Sequence, residues 1–382
     1  MSGIQSSIRP AAAEARRIVV KIGSSVLTRD GELQSRAFGD VSRQVSILID
    51  AGREVAIVSS GAIAIGAQEL GWKDGDRSIP EKQAAAAVGQ IGLIEQYRRR
   101  FTRRGHRVAQ VLVTRSGLTN RERFINARHT LLELLRIGVV PIINENDTVA
   151  TEEIRFGDND NLSATVANLI GADMLIILTD VDGLYQKPPG EGPKPKIFDI
   201  VERVTPEIER AAGGSTSTFG RGGMTTKLEA ARATARCGST MVLCNGRKRD
   251  VLLQVAAGEP IGTIFTTGNR LASRKHWLAF TTRTHGELVL DDGAVRAVTQ
   301  RGKSLLPAGI VEVRGKFRIG DPVACVDSSG RAVARGLTAY ASDAVERIAR
   351  RPTREITQML GYSNGDEVIH RDDLVLLEDS SE

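Results

Sequence analysis

From residue 17 to about residue 265, short apolar runs alternate with amphipathic stretches. The runs are rich in β-branched residues and lie at 18–22, 55–59, 108–113, 139–143, 175–179 and 241–244. Between them, residues 36–49, 81–104, 121–135 and 224–237 repeat apolar positions at helical spacing. Strands that are apolar on both faces and alternate with helices predict a mostly parallel sheet covered on each side. The expected fold class is α/β, a three-layer α/β/α sandwich. Ligands in such folds collect at the carboxyl ends of the strands, so polar residues directly after strands are the ones to inspect.

The rhythm changes at residue 285. Segments 286–290, 309–313 and 322–326 are short, apolar and alternating, with Gly/Asp turns between them. They predict a small β-rich domain over 285–365. Residues 186–195, rich in Pro, Gly and Lys, predict an exposed loop or hairpin. Residues 266–284 read as a linker with a short helix, residues 1–16 as an N-terminal extension, and residues 366–382 as a C-terminal tail that ends acidic. The main α/β domain spans 17–265. No sequence repeat runs through the chain.

Composition narrows the choice of function. A chain of 382 residues favours two or three domains. Lys and Arg number 52 against 46 Asp and Glu, an excess that suits anionic substrates and equally suits weak nucleic-acid contact. Aromatics at 4% argue against a protein built to stack on bases. The three cysteines have no zinc-like spacing and are expected as buried free thiols in a reducing, cytoplasmic setting. The N-terminal stretch lacks the long apolar segment of a signal peptide, and no run approaches a membrane span.

Six polar strings stand at or after the apolar runs. Val19-Val20-Lys21-Ile22-Gly23-Ser24-Ser25 ends a buried strand in a lysine and turns on small residues, which lets N–H groups and an ammonium face an anion. The plainer account is a lysine leaving the core where its strand ends. Ser59-Ser60-Gly61-Ala62-Ile63-Ala64 repeats the arrangement before an apolar helix, against an ordinary serine cap. Asn144-Glu145-Asn146-Asp147 and Gly157-Asp158-Asn159-Asp160-Asn161 form two acid-amide clusters, the second leading into a helix from about Leu162. Such groups accept hydrogen bonds from a substrate ammonium and orient lysines. A calcium loop would need Gly at position six and Glu at twelve, which are out of register here. An Asx-rich turn with a capped helix needs fewer carboxylates. Thr179-Asp180 ends a strongly apolar strand where polar groups can meet a nucleotide. Gly220-Arg221-Gly222-Gly223-Met224-Thr225-Thr226-Lys227 leads a flexible stretch into a helix, with a spacing unlike a Walker A loop. His370-Arg371-Asp372-Asp373-Leu374 echoes a protein-kinase loop but lacks the downstream Asn and Asp-Phe-Gly. The basic run 98–104 reads as a solvated helix face.

Together these strings, with Arg-Glu-Arg-Phe-Ile-Asn-Ala-Arg at 121–128, closely resemble the glutamate 5-kinase family of the amino-acid kinase superfamily. The likeness covers nearly the whole chain. The Gly-Asp-Asn-Asp-Asn and Arg-Glu-Arg-Phe strings are specific to it, whereas Lys-Ile-Gly is shared with carbamate, aspartate and uridylate kinases. Residues 286–365 resemble a PUA domain, a small β-barrel also found in RNA-modifying enzymes. The resemblance implies ATP-dependent phosphorylation of the glutamate side-chain carboxylate, the first step of proline biosynthesis. Mg2+ is expected on the ATP phosphates, with no metal held by the protein alone. A homo-dimer or tetramer and feedback by proline are also implied. By the same resemblance, Lys21 and Lys227 stabilise the transferring phosphoryl group and Asp160 holds both lysines. Ser60, Asp147 and Asn159 bind glutamate, Asp147 taking its ammonium. Lys21, Thr179, Asp180, Arg221, Gly222, Gly223, Met224, Thr225, Thr226 and Lys227 bind ATP. Arg221 departs from the family, which usually has Thr there.

Two alternatives stand beside this. An acetylglutamate kinase would share the fold, but a blocked amine needs no carboxylate partner, so Asp147 favours free glutamate. An RNA-binding role for residues 285–365 rests on 12 Lys/Arg against 9 Asp/Glu, with only Phe317, Tyr340 and Tyr362 as aromatics. That footprint is weak, so neither RNA nor membrane is expected as a partner.

Overall fold

The first strand, β1 (Arg17–Ile22), shows how the sheet is built. Ile18, Val19, Val20 and Ile22 are fully buried, so β1 is covered on both faces. Strand alternation sends Ile18, Val20 and Ile22 to one side, where they join a core with Phe38, Val45, Tyr97 and Phe101. Val19 and Lys21 face the other side. Each large apolar side chain buried this way contributes about 1.5–3 kcal/mol.

The computed structural model describes residues 12–29, 32–72, 75, 77–150, 159–187, 195–213, 223–266 and 284–377. The chain divides into two compact units, Met1–Gly117 with Arg128–Arg270, and Leu118–Ala127 with Leu271–Glu382. After β1 come β2 (Thr28–Arg29) and β3 (Glu32–Leu33), a small hairpin. They are followed by β4 (Glu54–Ser59), β5 (Arg107–Val113), β6 (Val139–Glu145), β7 (Met174–Thr179), β8 (Ile200–Val201), β9 (Thr240–Asn245) and β10 (Thr263–Phe265). Helices between them are α1 (Ser24–Leu27), α2 (Ser35–Asp50), α3 (Ala62–Glu69), α4 (Ile79–Thr102), α5 (Arg115–Thr119), α6 (Arg121–Arg136), α7 (Asn159–Ile170), α8 (Pro206–Ala211), α9 (Met224–Arg236) and α10 (Val251–Ala256).

Eight strands form one sheet in the order β5-β6-β4-β1-β7-β9-β10-β8. All its pairs are parallel except β9 with β10, which is antiparallel. Register levels the carboxyl ends of the central strands. Ile22 pairs with Ser59 and Leu178, and Thr179 pairs with Asn245. Helices α2, α4 and α10 pack together, while α7 packs on β1 and against α9.

Helix α4 starts at a reciprocal cap: the Ser78 N–H donates to Glu81 Oε2 at 2.8 Å. Its buried stripe runs Ala86, Gln90, Leu93, Tyr97 and Phe101. Glycines let α3 and α4 touch backbone to backbone. A Cβ on Gly66 would stand 1.8 Å from the Ala85 carbonyl oxygen, and one on Gly89 would stand 2.0 Å from that of Ala62.

The second unit holds a five-stranded sheet, with β11 (Gly286–Leu290), β12 (Ile310–Gly315), β13 (Pro322–Val326), β14 (Ala332–Leu337) and β15 (Leu374–Leu376), ordered β12-β11-β13-β14-β15. Its core gathers Leu288, Val323, Cys325, Tyr340, Val345 and Ile369. Helices α11 (Asp292–Thr299), α12 (Ser342–Ile348) and α13 (Ile356–Leu360) lie in the same unit. Asp291 caps α11 by accepting from the Ala294 N–H at 2.6 Å.

Some expectations change. Residues 366–376 are not a tail: β15 pairs with β14, because Leu374 and Leu376 join the core and Val375 is buried. Helix α7 begins at Asn159 rather than near Leu162, so its polar residues are the first helical turn. Arg100 leaves the otherwise solvated 98–104 face, donating to Ser35 Oγ at 2.6 Å and lying over the Phe38 ring. The stem of the 186–195 loop is paired, with the Gln186 N–H donating to Lys196 O at 2.8 Å, while 188–194 lie outside the described residues. Cys244 and Cys325 are buried free thiols, both pushed up to about 12 by burial, and Cys237 is half-buried. No helix among the described residues is long and apolar enough to cross a membrane.

Candidate active site

Three elements converge at the carboxyl edge of the main sheet. Lys21 sits one residue before the end of β1, on the face covered by α7. Asp160 is in the first turn of α7, and Lys227 is in the first turn of α9. Because α9 packs on α7, the two helix starts bring Asp160 between the lysines. Lys21 Nζ lies 2.5 Å from Asp160 Oδ1, and Lys227 Nζ lies 3.1 Å from Oδ2. Thr226 Oγ1 donates to Oδ2 at 2.9 Å. Asp160 is 0% exposed and each lysine 6%.

Burial pushes the Asp160 carboxyl up. Lys21 first, and then Lys227, outweigh that effect and hold it below the ordinary carboxylate range. Two ammonium groups around one carboxylate leave a net positive site. The positive ends of α7 and α9 add to it. An anion is the complement of such a place.

Beside this trio runs a chain of amides. Asn159 Nδ2 donates to Ser60 Oγ at 2.9 Å and to Asn144 Oδ1 at 3.1 Å. Asn144 Nδ2 donates to Gln90 Oε1 at 2.9 Å. Ser59 Oγ and the Tyr97 hydroxyl are 2.9 Å apart, and burial raises the Tyr97 phenol. Ser60 is not the cap of α3. Gly61 holds that place with φ of +110°, a conformation only glycine adopts freely, which leaves the serine hydroxyl to Asn159.

Asp147 is half-buried in the turn after β6. The Gln83 amide bonds the Ala150 carbonyl at 3.2 Å and ties that turn to α4. Thr179 is buried at the end of β7, with its hydroxyl donating to the exposed Asp180 carboxylate at 3.1 Å. The Gly246 N–H donates to Thr179 O at 2.8 Å. Gly223 caps α9, followed by Met224, Thr225, Thr226 and Lys227 in the helix. Arg221 and Gly222, like Gly157 and Asp158, lie outside the described residues.

Of the residues expected from sequence, Lys21, Lys227, Asp160 and Thr226 meet directly, and Ser60 and Asn159 meet beside them. Asn144, from the first acid-amide cluster, joins them; the sequence pattern does not point to Gln90 and Tyr97. Gln90 had a signal: it is the one amide in an otherwise apolar stripe of α4.

The amino acid kinase family profile matches residues 16–245, and the PUA domain profile matches residues 286–360. The glutamate 5-kinase of Paraburkholderia phymatum is 51% identical over 372 residues, covering 97% of this chain and 100% of the relative. Glutamate 5-kinases of Burkholderia mallei and Burkholderia pseudomallei match with the same identity and coverage. Among solved structures, the UMP kinase of Bacillus anthracis matches 67% of this chain and 97% of its own, at 17% identity and a TM-score of 0.47. The chain belongs to the amino acid kinase family, in its glutamate 5-kinase group, with a PUA domain later in the sequence.

Proposed function

We propose that this chain transfers the terminal phosphoryl group of ATP to the side-chain carboxylate of L-glutamate, giving L-glutamyl 5-phosphate for proline biosynthesis. The carrying observation is the buried Lys21–Asp160–Lys227 trio at the level carboxyl ends of β1, β4 and β7. The near full-length likeness to glutamate 5-kinases supports the choice of substrate.

A glutamate side chain, with an ordinary pKa near 4.3, is already ionised at neutral pH, so the attack needs no general base. The obstacle is an anion approaching an anion. Two unit charges about 4 Å apart interact by roughly 4 kcal/mol at an effective dielectric of 20, so each lysine matters. Lys21 and Lys227 neutralise the phosphoryl oxygens as charge shifts between donor and acceptor. Asp160 keeps both ammonium groups aimed at one point. Gly223 to Lys227, at the start of α9, offer N–H donors to the nucleotide phosphates. Thr179, Asp180, Arg221 and Gly222 also bind the nucleotide.

Ser60 and Asn159 hold the glutamate backbone end, and Asp147 takes its ammonium. Magnesium commonly binds through one or two carboxylates plus substrate phosphates. Asp160 spends both oxygens on lysines, and no trio of His, Cys, Asp or Glu gathers among the described residues. These donors fit an ion held by the ATP phosphates and water, where it would spread their negative charge. The chain works in the cytoplasm as a dimer or tetramer, and proline restrains it. We place the domain borders near 265 and 285.

The test is an ADP-release assay with glutamate, N-acetylglutamate, aspartate and carbamate offered in parallel. Glutamate turns over fastest. Preference for N-acetylglutamate would move the chain to the other branch of the fold.

A further inference from the structure

A cavity of about 840 Å³ opens beside the start of α2, between that helix and the turn 246–250 that joins β9 to α10. Its described lining includes none of Lys21, Asp160, Lys227, Thr179 or Asp180. Five cationic side chains line it: Arg36 and Arg43 from α2, and Arg247, Lys248 and Arg249 from the turn. Against them stand Asp40 and Asp250, so the wall carries a net charge of five minus two, or +3.

The cations are steered rather than scattered. Arg43 pairs with Asp250 Oδ1, and Arg249 Nε lies 3.3 Å from Oδ2 of the same residue. One carboxylate therefore anchors an arginine from each wall. Asp250 adopts φ of +55°, a left-handed conformation shared by only one other non-glycine residue among those described. Lys248 Nζ lies 3.1 Å from Asp182. Arg247 Nη2 donates to the Ser25 carbonyl at 2.8 Å, so the cavity wall reaches α1, which follows Lys21.

Like charges around one cavity repel, and three carboxylates, Asp182 included, do not balance five cations. A ligand with several negative charges would complete the site. Arginine forks match phosphate oxygens in pairs, and cavities of roughly 300–1,000 Å³ are the ordinary size for small-molecule sites. We propose that this cavity is a second ligand site of the kinase unit, for a small phosphate compound carrying at least two negative charges.

The probe is inorganic pyrophosphate, titrated calorimetrically into Lys227→Ala, in which the catalytic edge is weakened. The same titration is run after adding Arg36→Ser and Arg249→Ser, both at exposed positions. One saturable site is expected in the first protein, and binding at least about tenfold weaker in the second. Citrate, an anion without phosphate, is expected to bind at least about tenfold more weakly than pyrophosphate. No saturable site in the first protein, equal binding in the two, or equal binding of citrate overturns the proposal. If Lys227→Ala melts below the assay temperature, the Arg36/Arg249 comparison is made in the wild type with a non-hydrolysable ATP analogue filling the catalytic edge. The same tenfold difference is expected there, and its absence overturns the proposal.

Discussion

Both units bury polar side chains, but they spend them differently. In the second unit some serve their own neighbourhood. Asp321 accepts from the Arg318 N–H three residues away, and Thr338 donates to the Tyr340 carbonyl two residues away. In the kinase unit the bonds cross the fold. Lys227 reaches Asp160 over 67 residues, Asn159 reaches Ser60 over 99, and Asn144 reaches Gln90 over 54. A local buried bond fixes a turn that the chain must make anyway. A long-range buried charge costs desolvation that a well-packed apolar group would avoid. Its presence marks a place selected for chemistry rather than for stability.

Breaking the trio should give the largest effect. Asp160→Ala leaves two buried ammonium groups without their carboxylate, at a cost of about 3–5 kcal/mol. Its turnover should fall by more than the roughly 10²-fold expected of Lys227→Ala, since both lysines lose their anchor. Urea unfolding and initial rates measure the two losses. A variant as stable and active as the wild type would erase the contrast between the units.

Next comes substrate choice. Asp147→Ala should raise KM for glutamate by about tenfold or more, as loss of one charge-assisted contact implies, with KM for ATP little changed. Steady-state kinetics with each substrate varied in turn separates the two, and equal shifts would argue against ammonium recognition.

The trio also predicts a pH signature. Asp160 titrates below its ordinary value of 3.8 in the folded chain. Its contribution is therefore complete above that value and is lost as pH falls through the lower, folded value. The stability gap between wild type and Asp160→Asn should stay level from neutrality down to about pH 4, then narrow. Denaturation midpoints across that range test it, and a gap that widens in acid contradicts the assigned direction.

The smallest effect belongs to the second unit. The buried Tyr340 hydroxyl donates to Gly365 O at 2.5 Å and accepts from the Asn364 N–H at 2.9 Å. Tyr340→Phe should cost about 1 kcal/mol of stability. It should leave kcat and KM unaltered, as thermal melts and rates can show together.

Much of this was readable from the chain. Apolar runs such as 175–179 announced strands because no other element buries both faces over so short a length. The two lysines and Asp160 stood out as charges where strands end or helices begin. Gln90 and Tyr97 did not, since a helix stripe read for its apolar period absorbs one amide and one phenol without protest. Only the folded contacts, Tyr97 with Ser59 and Gln90 with Asn144, link them to the site. The run 366–376 reads as a tail in the sequence because its strand is three residues long and borrows its stability from β14.

The glycine contact between α3 and α4 has a consequence for how the site keeps its dimensions. Helix α3 departs from Ser60-Gly61, and α4 carries Gln90 and Tyr97. Where side chains separate two helices, the gap varies with every substitution. Here the spacer is the backbone itself, which has one thickness. The distance from the serine end of β4 to the amide on α4 behaves as a fixed gauge, indifferent to repacking of the core beneath. A single methyl at Gly66 or Gly89 could not be absorbed by rotating a side chain. It would have to push the whole of α4 outward, and the ruler would then read wrong along its length.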